Sequence, residues 1–158
     1  PYADRRRPNA LWRNGHGERR AQVAQDPQNA EAIQPGADVN MFVYRQQAPA
    51  AASGWQAGDP AENGATDIST DLQAEFRIDL VLGAVVAGEF RQQAGSAVIS
   101  WPFTEHAFLF EGSVEITDLA TGEKAIYGPG DGWIVKQGSR TLWNVLEPIR
   151  KSFFQYTK

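Results

Sequence analysis

From about Gly88 to Lys158, the chain is a series of short β-type runs separated by turn signals. The runs are SAVISW, EHAFLFEG, SVEITDL, EKAIYG, GWIVKQG, TLWNVLEP and RKSFFQYTK. The signals between them are Glu111-Gly112, Ala120-Thr121-Gly122, Gly128-Pro129-Gly130-Asp131 and Gln137-Gly138. Many short strands at near-regular spacing close into a sandwich or barrel and do not build a parallel sheet. The fold class expected is all-β, as one domain, since 158 residues without an internal repeat suit a single core.

The N-terminal third reads differently. Residues 1–40 are rich in Arg, Asn, Gln, Pro and Gly and lack period-two alternation. They read as an extended arm, with a short helix expected over residues 26–33, where Asp26 would cap and Pro27 would suit the first turn. Six of the 15 basic residues and two of the 19 acidic ones fall in residues 1–20, a local +4 that leaves −8 for the rest. A basic arm on an acidic body suits docking on a neighbouring subunit or an anionic partner.

The division expected is an arm over residues 1–40 and a barrel over residues 41–158. MFVYR (residues 41–45) is a candidate first strand, followed by a long Ala, Gly and Pro loop. FRIDLVLGAVVAGEFRQ is expected to give two strands with a bend, because Gly83 and Gly88 interrupt an apolar, β-branched run.

Composition excludes several function classes. A net charge of −4 argues against a general nucleic-acid binder. No apolar run approaches bilayer length and no secretion signal is read, so no membrane partner is expected. Cysteine is absent, which removes disulfides, thiol nucleophiles and thiolate metal sites and suits a cytoplasmic location. The two histidines, His16 and His106, cannot complete a Ser-His-Asp or Cys-His arrangement.

Three segments together resemble the cupin superfamily. They are Phe110-Glu111-Gly112, the Gly128-Pro129-Gly130-Asp131 turn, and Trp143-Asn144-Val145-Leu146-Glu147-Pro148-Ile149-Arg150-Lys151. Within that superfamily the pattern is similar to the single-domain group related to ureidoglycine aminohydrolase. The resemblance covers roughly residues 83–156 and implies a jelly-roll antiparallel β-barrel, here with an extended N-terminal arm. It also implies a metal held by histidines and a glutamate inside the barrel. Glu105, seven positions before Gly112, matches that glutamate. The paired histidines fall at 98–101, where the chain has Val98, Ile99, Ser100 and Trp101. In the second metal motif Gly130 and Gly138 match, while Lys136, Thr141 and Val145 replace its proline, histidine and asparagine. A transition ion needs about three or four ligands, so no metal and no cofactor are expected.

Strand alternation then predicts what faces the lumen. With Glu105 and Thr141 inward, Trp101, Phe103, Ala107 and Leu109 line one wall and Trp143 and Val145 another, with Trp133 or Ile134 added. His106 then faces outward. Glu105 is the candidate general acid or base, because apolar surroundings disfavour a carboxylate's charged form. Arg140 and Arg150 are candidate partners that would favour that form instead. Trp101, Phe103, Thr141, Trp143, Trp133 and Arg140 are the candidate ligand-binding residues. Glu147, Arg150 and Lys151 read as a structural salt bridge or sheet edge.

The reading that follows is a barrel binding a small molecule, with weak acid–base activity through Glu105, and forming a homodimer. Two others stay open. One is a divalent-metal enzyme of aminohydrolase or isomerase type, using Glu105 with Gln92, Gln93 or His106. The other is a non-catalytic binding or assembly module. Whether the chain is an enzyme is not decided by its sequence.

Overall fold

The computed structural model describes residues 41–69 and 72–158. They form nine strands and one 3-10 turn: β1 (Gln56–Gly58), the turn (Pro60–Asn63), β2 (Ala65–Thr66), β3 (Ala74–Leu82), β4 (Val85–Gln92), β5 (Gly95–Ser100), β6 (Thr104–Asp118), β7 (Lys124–Tyr127), β8 (Gly132–Val135) and β9 (Arg140–Tyr156). Every strand pairing is antiparallel, and the strands curl into one sheet whose inner face carries the core. The all-β expectation holds. The arm and the helix expected over residues 26–33 lie outside the described residues.

β9 organises the sheet. Along one edge it pairs with β5 through residues 140–145 and with β4 through residues 149–156. Along its other edge it pairs with β6. The sequence suggested four strands where the structure has these two, because Gly112 and Pro148 look like chain breaks. They are instead the two sides of one irregularity, where the β6–β9 register shifts three times between Leu109 and Val114. Pro148 has no N–H to give a ladder and is tolerated where pairing is already interrupted. Gly112 sits at φ 76°, and a Cβ there would lie 2.0 Å from the Pro148 carbonyl oxygen, so only glycine fits.

The FRIDLVLGAVVAGEFRQ run folds as a hairpin, β3 to β4 across Gly83, with its bulge between Ile78 and Leu80. Residues 41–45 correct the expectation of a first strand: they carry no strand pairing. Their Tyr44 and the carbonyls just beyond them bond to side chains instead of to a ladder. The loop after them is not wholly irregular, since β1, the 3-10 turn and β2 fall within it.

The core follows the alternation. Trp101, Ala107, Leu109, Val114, Trp133, Trp143, Val145 and Ile149 form one buried cluster. Its indoles meet edge to face, Trp101 with Trp143 at 6.2 Å and Trp133 with Trp143 at 5.7 Å, the arrangement that ring quadrupoles favour. The Gly128–Asp131 turn is locked by its own aspartate, which accepts from the Gly128 N–H at 2.9 Å. It is also tied to β6 by Gly130 N–H to Leu109 O (2.9 Å) and Leu109 N–H to Asp131 O (2.8 Å). Among the described residues no helix is long and apolar enough to cross a membrane.

Candidate functional site

One cavity of about 210 Å³ opens at the end of the barrel where the 3-10 turn crosses. Glu62 and Asn63 of that turn stand at it, and Phe76, Ile78, Phe90, Gln92, Ile99, Trp101, Phe103, Glu105, Trp143, Lys151, Phe153 and Gln155 complete its lining. The turn has a fixed seat. Asp59 caps it, Gly64 leaves it at φ 80°, and a Cβ on Gly64 would meet the Ser100 carbonyl at 2.1 Å. A smaller annex of about 60 Å³ lies beside the cavity, sharing Asn63, Phe76, Phe90, Gln92, Ile99 and Trp143.

Glu105 points inward from β6 and its side chain is 2% exposed. Its Oε1 is bonded to the Lys151 ammonium, itself 4% exposed, and its Oε2 accepts from Gln155 Nε2 at 3.1 Å. Four rings surround the Lys151 ammonium, with centroids at 5.1 Å (Trp143), 5.3 Å (Phe90), 5.4 Å (Trp133) and 5.9 Å (Trp101). Ring faces attract a cation but replace little of its hydration, so the carboxylate carries most of the compensation for burying the charge.

Gln92, on β4, is also buried and lines the cavity. Its Oε1 accepts from Trp143 Nε1 at 3.2 Å. An indole N–H can only donate, which fixes the amide's orientation and makes the other end the Nε2 donor. That Nε2 is buried and has no partner among the described residues.

Of the residues singled out from the sequence, Glu105, Trp101, Phe103 and Trp143 are brought together at the cavity. Thr141 is buried, but its hydroxyl accepts from Trp101 Nε1 at 2.9 Å and serves to orient that indole. Trp133 is buried behind the Lys151 ammonium and does not line the cavity. Arg140 is exposed and away from the cavity, because it alternates with inward Thr141 at the start of β9. Arg150 likewise does not reach Glu105. It lies outward, donating to Glu111 (2.8 Å), Glu89 (3.4 Å) and the Ala48 carbonyl (2.7 Å).

The sequence reading gave Lys151 a structural salt bridge but neither its partner Glu105 nor its place at the cavity, and left Gln92 only as a metal-ligand alternative. The signal for Lys151 was present: among the odd positions of β9, Thr141, Trp143, Val145, Ile149, Lys151 and Phe153 are buried, and only Glu147, beside Pro148, is exposed. The inward parity survives the irregularity at Pro148.

These residues do not fit a divalent ion. An ammonium already sits on the one motif carboxylate, where it would repel a second cation. His106 and Gln93 are exposed, so of the alternative ligands only Gln92 shares the cavity with Glu105, and its amide oxygen is already taken by the Trp143 N–H. Among the described residues no three His, Cys, Asp or Glu side chains converge.

Residues 81–153 match the family model of the EutQ-like cupin domain. That stretch of the chain is therefore similar to a cupin domain. Two solved structures show the same fold. EutQ of Clostridium difficile is 15% identical with TM-score 0.51, over 61% of this chain and 78% of that one. A protein of unknown function from Pseudomonas syringae pv. tomato is 16% identical with TM-score 0.53, over 66% of this chain and 45% of that one. No curated protein matches the sequence. The match is to the EutQ-like description of the cupin domain, and the finer resemblance to ureidoglycine aminohydrolase is not among these findings.

Proposed function

We propose that this cupin-like domain binds a small, partly apolar molecule in the cavity above the Glu105–Lys151 pair, and that Glu105 provides weak acid–base activity there. The observation that carries this is the Gln92 amide, buried at the cavity, held in one orientation by Trp143, and left with an unpartnered donor. Leaving such a donor unmet costs roughly 1–3 kcal/mol, a cost that an acceptor on a bound molecule would remove. Aromatic and aliphatic walls with a few convergent polar groups are the usual make-up of a small-molecule site. The cavity is of the same order as an engineered hole of about 150 Å³ that takes benzene.

The test is tryptophan fluorescence, since Trp101 and Trp143 both line the cavity. Titrating small cyclic ketones, alcohols and acids should give saturable changes in the wild-type chain that Phe103→Trp, which narrows the cavity, abolishes. Changes that survive that substitution would place binding elsewhere.

We also propose that the outer face supports a homodimer. His106 pairs in register with Ile134 on one side and Phe154 on the other. Ile134 is 71% and Phe154 48% exposed, so two apolar side chains flank His106 in a row across three strands. Sedimentation should show a dimer that Ile134→Glu converts to monomer. A wild-type monomer at high concentration would remove this reading.

A further inference from the structure

We propose that the Lys151 ammonium is this cavity's resident cation, and that with Gln92 it holds the oxygen of a small enolisable carbonyl compound whose α-proton Glu105 exchanges with solvent. This rests on the binding reading above and names its ligand class and chemistry.

The donors set the class. An ammonium has three N–H donors, and among the described residues the one oxygen found on Lys151 Nζ is that of Glu105. The four surrounding rings stabilise its charge but leave it able to meet another acceptor. Gln92 Nε2 is a second donor without a partner among the described residues. Both residues touch Trp143, Gln92 through the indole N–H and Lys151 over the ring. Two donors beside one ring call for an acceptor-only group on the ligand, which describes a carbonyl oxygen. The ion pair is neutral as a unit and much of the lining is apolar. A neutral ketone or aldehyde therefore enters at less desolvation cost than a dianion.

The chemistry follows from what lies beside the donors. Glu105 is an acceptor held by Lys151 and Gln155, at the same cavity. Its carboxylate takes the α-proton, and the C–H electron pair moves into the carbonyl to give an enolate. The negative charge that develops on oxygen is stabilised by the Lys151 ammonium and the Gln92 amide, donors already in place before reaction. Returning a proton from Glu105 to the same carbon restores the ketone. If Glu105 has meanwhile exchanged with solvent, the product carries a solvent proton. No oxidant, reductant or second substrate enters the balance. In the metal-dependent relatives implied by the motif, the cation at this carboxylate would be a metal; here the chain supplies its own.

The full-length chain is incubated with cyclohexanone or with phenylacetone in D₂O, and loss of the α-proton signals is followed by NMR. Binding of the same ketones and of cyclohexanol is followed in parallel by tryptophan fluorescence. Exchange is expected to run at least tenfold above that of the Glu105→Gln variant. Gln92→Leu leaves the ion pair intact, so it serves if Glu105→Gln fails to fold; it should lower the rate by roughly a hundredfold to a thousandfold. Rate against pD should also follow one ionisation that Glu105→Gln removes, which a merely structural role would not produce. Ketones that bind while exchange stays at the buffer rate would overturn the proton-transfer step and leave the binding reading standing. Binding of cyclohexanol but of neither ketone would overturn the carbonyl assignment. Failure of all three to bind would overturn both.

Discussion

The Lys151 ammonium is bonded to the Glu105 carboxylate at the bottom of the cavity, with both side chains almost wholly out of solvent. An isolated charge there would be costly, so each group is kept in the barrel by the other. Removing one partner, as in Glu105→Leu or Lys151→Met alone, should cost about 3–5 kcal/mol. Removing both together should cost far less than the two single changes added, because no uncompensated charge remains. Urea unfolding of the four proteins in the cycle measures this. Additive losses would show that the two residues stabilise the barrel independently.

The irregularity joining β6 to β9 gives a second prediction. Gly112→Ala places a side chain in a left-handed backbone and drives its Cβ to 2.0 Å from the Pro148 carbonyl. The backbone conformation alone costs roughly 1–2 kcal/mol, and the overlap adds to it. A loss of more than about 2 kcal/mol in urea unfolding is expected. By contrast, Gly122→Ala has a similar φ of 75° but nothing within 4 Å, so it should show the backbone cost alone.

These two sites also show what was legible in the chain. Period-two alternation placed Glu105, Trp101, Ala107, Leu109, Thr141, Trp143 and Val145 on one buried face and His106 on the other. That pattern depends only on the pleat and needs no knowledge of neighbours. Long-range packing was not legible. Gly112 and Pro148 signal a chain break locally, and only their contact across two strands makes them one bulge. Arg140 and Arg150 looked equivalent as partners for Glu105. Parity sends both outward, where Arg150 is then buried by residues more than 100 positions earlier. Residues 41–45 have the apolar alternation of a strand but make no strand pairing. The unmet donor of Gln92 depends on Trp143, 51 residues away, and no local pattern could show it.

Tyr44 gives a pH-dependent prediction. Its hydroxyl donates to Asp79 Oδ2 at 2.9 Å, and burial, with the Asp79 charge added, pushes its pKa well above the usual tyrosine value. A raised folded pKa means that the neutral hydroxyl's contribution is complete below pH of about 10, the unfolded value. It is lost as pH rises from there toward the folded pKa, since the unfolded chain then releases its proton first. Wild type should therefore lose stability above pH of about 10 relative to Tyr44→Phe, while the two run parallel at pH 6–9. Thermal unfolding across that range measures the difference, and parallel curves up to pH 11 would exclude an ionisation held back by Asp79.

Arg150 fastens residues 46–48 to the sheet. Its guanidinium reaches Glu111, Glu89 and the carbonyls of Gln46 and Ala48, and lies 4.9 Å from the centre of the Phe110 ring. Only a planar fork of several donors can serve acceptors on three sides at once. Lysine keeps the charge but not the fork, so Arg150→Lys should free the strap while leaving the inner-face cavity residues in place. The exposed Arg45, one residue before the strap, supplies a tryptic site to report on this. Cleavage there should be slow in the wild type and at least several-fold faster in Arg150→Lys, without a matching change in global unfolding. If cleavage at Arg45 is equally fast in both proteins, the bonds to Gln46 and Ala48 do not hold the strap in solution.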